Sequence, residues 1–245
     1  MRYLNGGALL LTSIAWLAIG CQSSPKVKAE HKQNTQPIIV GAMKNVMHKG
    51  ELAGIIHLDT IKDKNHLYGM GPVEYLTGEL LVMDGISYKA FVINDTAMNI
   101  EQTFDVKAPF FGYAHIASWK QSPLPDSVIG LKQLENYLLN STKDLPQPYF
   151  FKISAITDSA TVHLMNLPPG TKVSKPEDAN QGKKNYTVTN QKVELLGFFS
   201  TQHQTIFTHH DTFLHLHLIT ENKQTMGHLD KLKLKKGTAT LFLPE

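Results

Sequence analysis

The stretch FLHLHLITENKQTMGHL (residues 213–229) places three histidines in the pattern H-x-H-x10-H and opens with the alternation of a β-strand. Successive side chains of a strand point to opposite faces, so the three leucines lie on one face. His215 and His217 then lie together on the other face. Because the leucine face belongs in a core, the two imidazoles are expected to point jointly at a separate feature.

The polar run ENKQ that follows predicts a turn into a returning strand. If this turn is centred between Asn222 and Lys223, the residue opposite His217 is His228. Directly opposed residues of an antiparallel pair have Cβ atoms about 4.5–5.5 Å apart. The hairpin is therefore expected to bring His215, His217 and His228 together.

Three imidazoles that converge from one hairpin suit a metal site with an open fourth position, which is typical of catalytic zinc. Iron, cobalt, nickel and copper also accept imidazole ligands. A solvated histidine face is the alternative interpretation. His209 and His210, just upstream, are expected to line the site or to support its ligands by hydrogen bonds, and a surface histidine cluster is again the alternative.

The remaining patterns predict an α+β fold with antiparallel or mixed sheets and a few helices, built as two intimate subdomains. The run VGAMKNVMHKG has helical apolar spacing and predicts a helix that stops at Gly50. DSVIGLKQLENYLLN (residues 126–140) carries an apolar face and predicts a second helix, with Asp126 or Ser127 at its start.

The strand patterns are short and numerous. GELLVMDGISYKAFVI predicts two strands joined by a tight turn at Asp84-Gly85. YFFKISAI and ATVHLMNL are expected to be two strands separated by a short polar turn. Residues 168–185 predict a polar loop, and TIFTH (residues 205–209) predicts a further short strand.

Residues 1–20 differ in character from the rest of the chain. Arg2 precedes the apolar run ALLLTSIAWLAIG, which is typical of a secretory signal and too short for a membrane span. LAIGC (residues 17–21) resembles a bacterial lipobox, whose cysteine becomes the lipidated first residue. We therefore expect an exported lipoprotein, periplasmic or at the cell surface, anchored to a membrane through Cys21. An ordinary signal peptide that contains a cysteine is the alternative.

The residues after the signal divide into two parts. Residues 21–37 are polar and predict a flexible tether. The globular domain is expected to span residues 38–245, with an N-terminal subdomain at residues 38–143 and a C-terminal, metal-binding subdomain at residues 144–245. Cys21 is the only cysteine, which excludes a disulfide within the chain.

The charge distribution narrows the choice of partners. The formal net charge is only +3, and no basic cluster is interleaved with aromatic residues, so no nucleic-acid partner is expected. Arg2 is the only arginine. Any substrate carboxylate must therefore be bound by lysine, histidine, backbone or metal, since the bidentate guanidinium group is missing after the signal.

These features resemble the α-acetolactate decarboxylases. In that family a His-x-His strand, a turn and a third histidine hold a zinc ion, so the resemblance implies zinc at His215, His217 and His228. YLTGELLVMDG resembles the family's L-D-G-E-hydrophobic-D-G signature and places Glu79 on its catalytic glutamate. IIVGAMKNVMHKGELAGIIHLDTI, PFFGYAHI and YFFKISAITDSATVHLMNLP follow in family order, so the resemblance covers nearly all of the chain after the tether.

The sequence also departs from the family pattern. Met165 stands where the family strand V-K-T-R-x-V-P has its arginine, and His163 replaces the lysine. The family's C-terminal segment, which carries a second glutamate, has no counterpart after Glu245. His163, His210 and Lys152, the last on a second arginine position of the family, are candidates for contacting a substrate anion instead. A place on a strand surface is the alternative for each.

The resemblance implies decarboxylation of 2-acetolactate to acetoin, with zinc as Lewis acid and Glu79 as the acid that protonates carbon. It also implies a homodimer. Three hypotheses follow: a zinc-dependent decarboxylase of 2-acetolactate or a related 2-hydroxy-3-keto acid, a metal enzyme of another reaction type, and an exported metal- or ligand-binding lipoprotein without activity. The first is favoured because the resemblance covers most of the chain.

Overall fold

The computed structural model describes Tyr3 and residues 35–245, and the residues from 35 onward belong to one compact unit. Apart from Tyr3, the expected signal lies outside the described residues, as do the lipidation site at Cys21 and all but the last residues of the expected tether. No helix in the described part of the chain has the length and apolar character needed to cross a membrane.

The described elements are short strands, two much longer strands and a few helices. In chain order they are β1 (Ile38–Val40), α1 (Met43–Lys49), β2 (Ile56–His57), β3 (Leu67–Pro72), β4 (Glu79–Met83), β5 (Ile86–Val92), β6 (Met98–Gln102), β7 (Lys107–Ala108), β8 (Phe111–His115), β9 (Trp119–Pro123), α2 (Leu131–Ser141), β10 (Tyr149–Leu164), α3 (Pro176–Ala179), β11 (Lys184–Phe199), β12 (Leu214–Thr220), β13 (Met226–Leu234) and β14 (Thr240–Pro244), with 3-10 turns at Leu58–Thr60 and Glu74–Leu76.

Most strands belong to two six-stranded sheets. The first sheet has the order β1-β8-β3-β4-β5-β6, and the second has the order β11-β12-β13-β10-β14-β9. A ribbon of β2 and β7 lies apart, and the named strands all pair antiparallel. The predicted α+β class with antiparallel sheets is confirmed. Strand β9 crosses the subdomain division expected at residue 143, because it pairs with β14.

Four strands of the second sheet pair in a closed circuit. The long strands β10 and β11 pair along nearly their whole length, β12 pairs with β11 and β13, and β13 returns to β10. The registers of β12 and β13 are therefore fixed by a neighbour on each side, which also fixes the positions of the histidines they carry.

Alternation in β4 divides its side chains between two cores. Leu81 and Met83 pack into the large cluster that both six-stranded sheets share, whereas Leu80 and Val82 pack into a smaller cluster beneath the first sheet. Glu79 has the same parity as Leu81 and therefore points toward the second sheet.

Two local predictions are confirmed. Helix α1 ends at Gly50, which adopts the left-handed conformation (φ 66°) that favours glycine at a helix end. Strands β4 and β5 are joined at Asp84-Gly85, where both residues have positive φ, as a two-residue hairpin turn requires.

The predicted start of the second helix is wrong. Helix α2 begins at Leu131, and Gly130 before it is extended. Asp126 does not cap the helix, because its carboxylate accepts a hydrogen bond of 2.7 Å from the backbone N–H of Gly237. A tertiary contact therefore takes the group that the local pattern assigns to capping.

Three strand predictions also require correction. The polar residues between YFFKISAI and ATVHLMNL do not form a turn, since β10 continues through them with only a register shift at Thr157 and Ser159. The long partner β11 runs beside this segment and keeps it extended. The expected polar loop at residues 168–185 contains α3 and ends where β11 starts at Lys184. Residues 205–209 form no strand but turns joined by one isolated bridge.

Candidate metal-binding and active site

Three histidines form a row across three neighbouring strands. His228 on β13 lies opposite His217 on β12 and opposite His163 on β10. Directly opposed residues share a face of the sheet, and His215 joins them through alternation along β12. The predicted hairpin register is confirmed, and the fourth imidazole comes from a strand that the hairpin pattern does not include.

A glycine allows β10 and β13 to approach closely beside this row. A Cβ atom at Gly227 would lie only 2.5 Å from the carbonyl oxygen of His163. The rings of His163 and His228 consequently lie 4.7 Å apart between centroids. The residue before the third histidine of the motif therefore has to be small.

His215, His217 and His228 form a compact cluster of possible ligand atoms. One ring nitrogen from each residue lies within 4.8 Å of the other two. The Nε2 atoms of His215 and His217 are 3.3 Å apart. Relative exposure of the three residues is 3%, 0% and 9%, respectively, so the cluster is buried and a solvated histidine face is excluded.

Burial keeps these imidazoles neutral. It lowers the pKa of His217 to about 3, and it lowers the pKa values of His215 and His228 well below the usual range, with the neighbouring imidazoles adding to the effect. Neutral imidazole is the form that binds metal ions, so the site requires no deprotonation near neutral pH.

The hydrogen-bond pattern also fits a metal ion. The Nδ1 of His215 donates to the carbonyl oxygen of Phe207 at 2.8 Å, which leaves the Nε2 lone pair free to act as a ligand. The backbone of Leu80 favours the charged form of His217, but the buried Nδ1 of His217 makes no hydrogen bond of standard geometry among the described residues. Whichever ring nitrogen carries the proton, one buried nitrogen of His217 therefore lacks a hydrogen-bond partner. This costs folding free energy unless a metal ion binds the histidine cluster.

The separation of the ring nitrogens agrees with this interpretation. Two ligands at about 2.0–2.1 Å from a tetrahedral zinc ion lie about 3.3 Å from each other. The Nε2 atoms of His215 and His217 have this separation. Geometry, burial and protonation state together make the three histidines suitable ligands for zinc or a similar divalent ion.

Glu79 reaches the cluster from the opposite sheet. One of its carboxyl oxygens lies 3.6 Å from the Nε2 of His217, and the residue is 3% exposed. Burial raises the pKa of Glu79 well above its usual range, although the backbone of Met165 acts in the opposite direction. Gly78 is needed directly before it, because a Cβ atom there would lie 2.2 Å from the carbonyl oxygen of Ala90.

A second carboxylate supports the row of histidines from behind. Asp230 is the extra residue of a β-bulge in β13, and its carboxylate accepts a 2.9 Å hydrogen bond from Nδ1 of His163. Burial, the largest single influence, would raise the pKa of Asp230, but the hydrogen bond from His163 and the nearby Lys183 and His209 together outweigh it and lower that pKa. The ammonium group of Lys183 lies 3.9 Å from the same carboxylate.

A cavity of about 530 Å³ opens onto this site. Its polar end includes Glu79, His215 and His228, and its other walls come mainly from α1 and the segment after β10. His209, His210 and His163 also line it, the first two as exposed residues at its surface and His163 as a buried one. The ring of His209 contacts that of His228 edge-on, with centroids 5.3 Å apart.

One other residue considered from the sequence lies elsewhere. Lys152 does not line the cavity, and its ammonium group lies 5.2, 4.8 and 5.1 Å from the ring centroids of Tyr68, Trp119 and Phe242. Glu245 follows β14, where its backbone N–H bonds to the Ser118 carbonyl.

Several cavity residues were not predicted as part of a site. Asp230 could have been found from alternation, since it follows His228 by two residues on the same strand. Met43 and Met47 on α1 line the cavity as well, although their spacing predicts only a helix face packed on a core. Lys183 carries no sequence signal, because it lies in a polar segment rich in lysine.

Comparisons with known proteins agree with this geometry. The sequence profile of the alpha-acetolactate decarboxylase family matches residues 40–242. An alpha-acetolactate decarboxylase of Methanosarcina mazei is 25% identical over 199 residues, which are 78% of this chain and 64% of that protein. The aligned part therefore spans somewhat less than two thirds of that curated relative.

Solved structures show the same fold at low sequence identity. A crystal structure of acetolactate decarboxylase from Bacillus subtilis subspecies spizizenii gives a TM-score of 0.68 at 17% identity, covering 86% of each chain. A Staphylococcus aureus protein of unknown function, described as similar to alpha-acetolactate decarboxylase, gives a TM-score of 0.66 at 15% identity and 85% coverage of each chain. The family profile matches most of the 245 residues of this chain, and the chain therefore belongs to the alpha-acetolactate decarboxylase family.

Proposed function

We propose that this chain is a zinc-dependent decarboxylase that converts 2-acetolactate, or a related 2-hydroxy-3-keto acid, into acetoin or the corresponding hydroxyketone. The observation that carries the proposal is the convergence of three buried neutral imidazoles and one buried carboxyl group on a single cavity. Family membership supports the reaction class.

His215, His217 and His228 would hold the ion, each through one ring nitrogen. When bound, a divalent ion supplies Lewis acidity that draws electron density from the keto and hydroxyl oxygens of the substrate. Zinc suits the neutral imidazole donors and their spacing, and other divalent transition metals would compete for the same donors.

The reaction breaks the bond between the carboxylate carbon and the carbon that bears the hydroxyl group. Carbon dioxide leaves, the electron pair of that bond moves into the neighbouring ketone, and one proton is then added at the carbon that lost the carboxylate. Glu79 is suited to deliver this proton, because burial raises its pKa and thereby favours the form that carries a proton.

Acetoin formation from racemic 2-acetolactate tests the proposal. The zinc-loaded protein should release acetoin, and Glu79→Gln should lower kcat by about 10²–10⁴-fold while zinc content is unchanged. Glu101→Gln is the matched control, since Glu101 pairs with Lys89 on the first sheet outside the cavity. A protein that binds zinc but decarboxylates neither 2-acetolactate nor a related 2-hydroxy-3-keto acid would contradict the proposal and support a metal enzyme of another reaction type or a metal-binding lipoprotein on the same scaffold.

We also propose that Cys21 is lipidated and anchors an exported protein to a membrane, on the basis of the signal-like segment and LAIGC alone. Cys21→Ser should move the protein from the membrane to the soluble fraction, and an unchanged membrane fraction would refute lipidation. A homodimer is proposed from the family resemblance, and light scattering of the purified protein would measure it.

A further inference from the structure

The cavity beside the histidines is large for a small substrate. Its volume of about 530 Å³ lies within the range of roughly 300–1,000 Å³ that is typical of sites for drug-sized ligands. At about 30 Å³ per molecule of liquid water, it has room for on the order of 17 water molecules. The nine non-hydrogen atoms of 2-acetolactate would leave roughly half of that space to water.

The lining of the cavity also includes apolar side chains. Leu76, Phe110 and Met165 line the cavity with relative exposures of 0%, 3% and 4%. Met43 and Met47 face the same space from α1, one turn apart. Water left in a cavity with such walls is easily displaced by an apolar group, which gains affinity when it does so.

Methionine is prominent in these walls. Met43, Met47 and Met165 contribute from two different segments, and their unbranched thioether chains adapt to groups of different shape. Side chains of this kind can adjust their conformations to pack against either a flexible alkyl chain or a ring. The lining also includes Lys44 and Lys183, whose ammonium groups could attract a substrate carboxylate, although Lys183 lies 3.9 Å from the carboxylate of Asp230.

We propose that the preferred substrates are 2-hydroxy-3-keto acids that carry an alkyl or aryl group of about three to six carbons in place of a methyl group of 2-acetolactate. That group would pack against Met43, Met47 and Met165, which together form the methionine wall. The proposal rests on the proposed decarboxylase function and narrows its substrate class. The bond changes stay the same: the carboxylate leaves as carbon dioxide, its bonding pair passes into the ketone, and one proton is added at the hydroxyl-bearing carbon. The product is the correspondingly longer hydroxyketone.

A homologous substrate series tests the proposal with the full-length, zinc-loaded protein. One series lengthens the substituent at the hydroxyl-bearing carbon from methyl to butyl, and the other lengthens the chain on the ketone side. In at least one series kcat/KM should rise about fourfold for each added methylene until the cavity is filled. A maximum at methyl in both series, with a steady fall thereafter, would overturn the proposal.

Variants that fill the cavity provide a second readout. Met47→Trp and Met165→Phe should lower the ratio of kcat/KM for the butyl compound to that for the methyl compound, because they occupy the space the longer chain needs. Ile93→Trp is the control, since Ile93 is 60% exposed and lies outside the cavity. Circular dichroism identifies a filling variant that fails to fold. In that case the ratio of kcat/KM values is measured on the other filling variant. An unchanged ratio in folded filling variants would count against the methionine wall.

A binding series separates failure of this proposal from failure of the proposed function. 2-Hydroxy-2-methylalkanoates lack the keto group and cannot be decarboxylated in this way, so calorimetry can report their affinity alone. Affinity that rises with chain length in a protein without decarboxylase activity would support the apolar subsite and overturn only the proposed function. Decarboxylation of 2-acetolactate with no gain from chain length in kcat/KM or affinity would overturn only the substrate class.

Discussion

His217 and His228 are directly opposed on β12 and β13, with ring centroids 5.5 Å apart. Each is also held from its other side, by β11 and β10 respectively, because the four strands pair in a closed circuit. The two imidazoles therefore stand at a fixed separation that does not depend on a loop. A rigid strand scaffold of this kind suits a preorganised metal site.

Replacing His215 and His217 together by alanine is expected to abolish stoichiometric metal binding, since two of three ligand atoms are lost. Metal content after dialysis, measured by mass spectrometry, should fall from about one ion per chain to a small fraction of that. Zinc should also raise the Tm of the wild type but not of this variant, because a ligand that binds only the native state stabilises it.

His66→Ala is the control for this experiment. His66 is exposed, pairs with Asp84 and lies far along the sequence from the hairpin. Its loss should change neither the metal content nor the zinc-dependent rise in Tm. A double variant of His215 and His217 that keeps full metal content would show that the ion binds elsewhere.

The metal-free protein should lose stability as the pH falls below about 6.5. Burial lowers the pKa of His217 to about 3 and that of His215 and His228 well below the usual range. In this window the unfolded chain binds protons on these imidazoles and the folded chain does not, so acid favours unfolding. Urea titrations at pH 7 and pH 5 would measure the loss.

Glu79 contributes with the opposite sign. Because the pKa of Glu79 is raised, the folded chain keeps a proton that the unfolded chain releases once the pH exceeds the ordinary range for glutamate. The cost of Glu79 to folding stability therefore grows as the pH rises above that range. Glu79→Gln should therefore be more stable than the wild type at pH 7 when metal is absent. Equal stability of the two proteins at pH 7 would contradict burial of a protonated Glu79.

Gly227→Ala should destabilise the protein by about 1–3 kcal/mol, because the added Cβ would lie 2.5 Å from the carbonyl oxygen of His163 and must push β10 and β13 apart. Since His163 and His228 lie on these strands, zinc affinity should fall as well. Denaturant unfolding and calorimetric zinc titration measure the two effects. In Gly130→Ala the closest contact is 3.1 Å, so a smaller loss of stability and normal zinc affinity are expected.

Lys152→Ala should leave zinc content unchanged and lower stability by about 1–2 kcal/mol, since the side chain lies outside the cavity and packs among three aromatic rings. Lys120→Ala on the exposed edge of β9 is the matched control and should change neither quantity. If Lys152→Ala lost zinc and Lys120→Ala did not, Lys152 would contribute to metal binding.

Local patterns allow much of the hairpin site to be predicted. The centre of the polar turn sets the register of the hairpin and so defines which residue opposes His217. Alternation along β12 then defines which side chains share its face, because side chains on a strand repeat every two residues. Glycine at Gly50 and at Asp84-Gly85 likewise predicts where chain direction changes, since these positions require positive φ.

Other features follow from contacts between segments distant in sequence. Asp126 bonds to Gly237 instead of capping α2, and β10 continues through a polar run because β11 lies beside it. A local pattern contains no information about such partners, so the helix start and the continuous strand were predicted wrongly. Lys152 was considered because it falls on an arginine position of the family, and that correspondence contains no information about the three aromatic rings around its ammonium group.

The hairpin, its register and the identity of the three candidate ligands could be inferred from the amino-acid order, because strand alternation and turn position are local properties. The burial and neutrality of these imidazoles, the approach of Glu79 from the other sheet, and the positions of His163 and Asp230 beside His228 are results of tertiary packing. It also decided the shape of the methionine-lined cavity. Burial and cavity shape depend on how separate segments pack together, and that packing sets the pKa values and the space on which the chemistry depends.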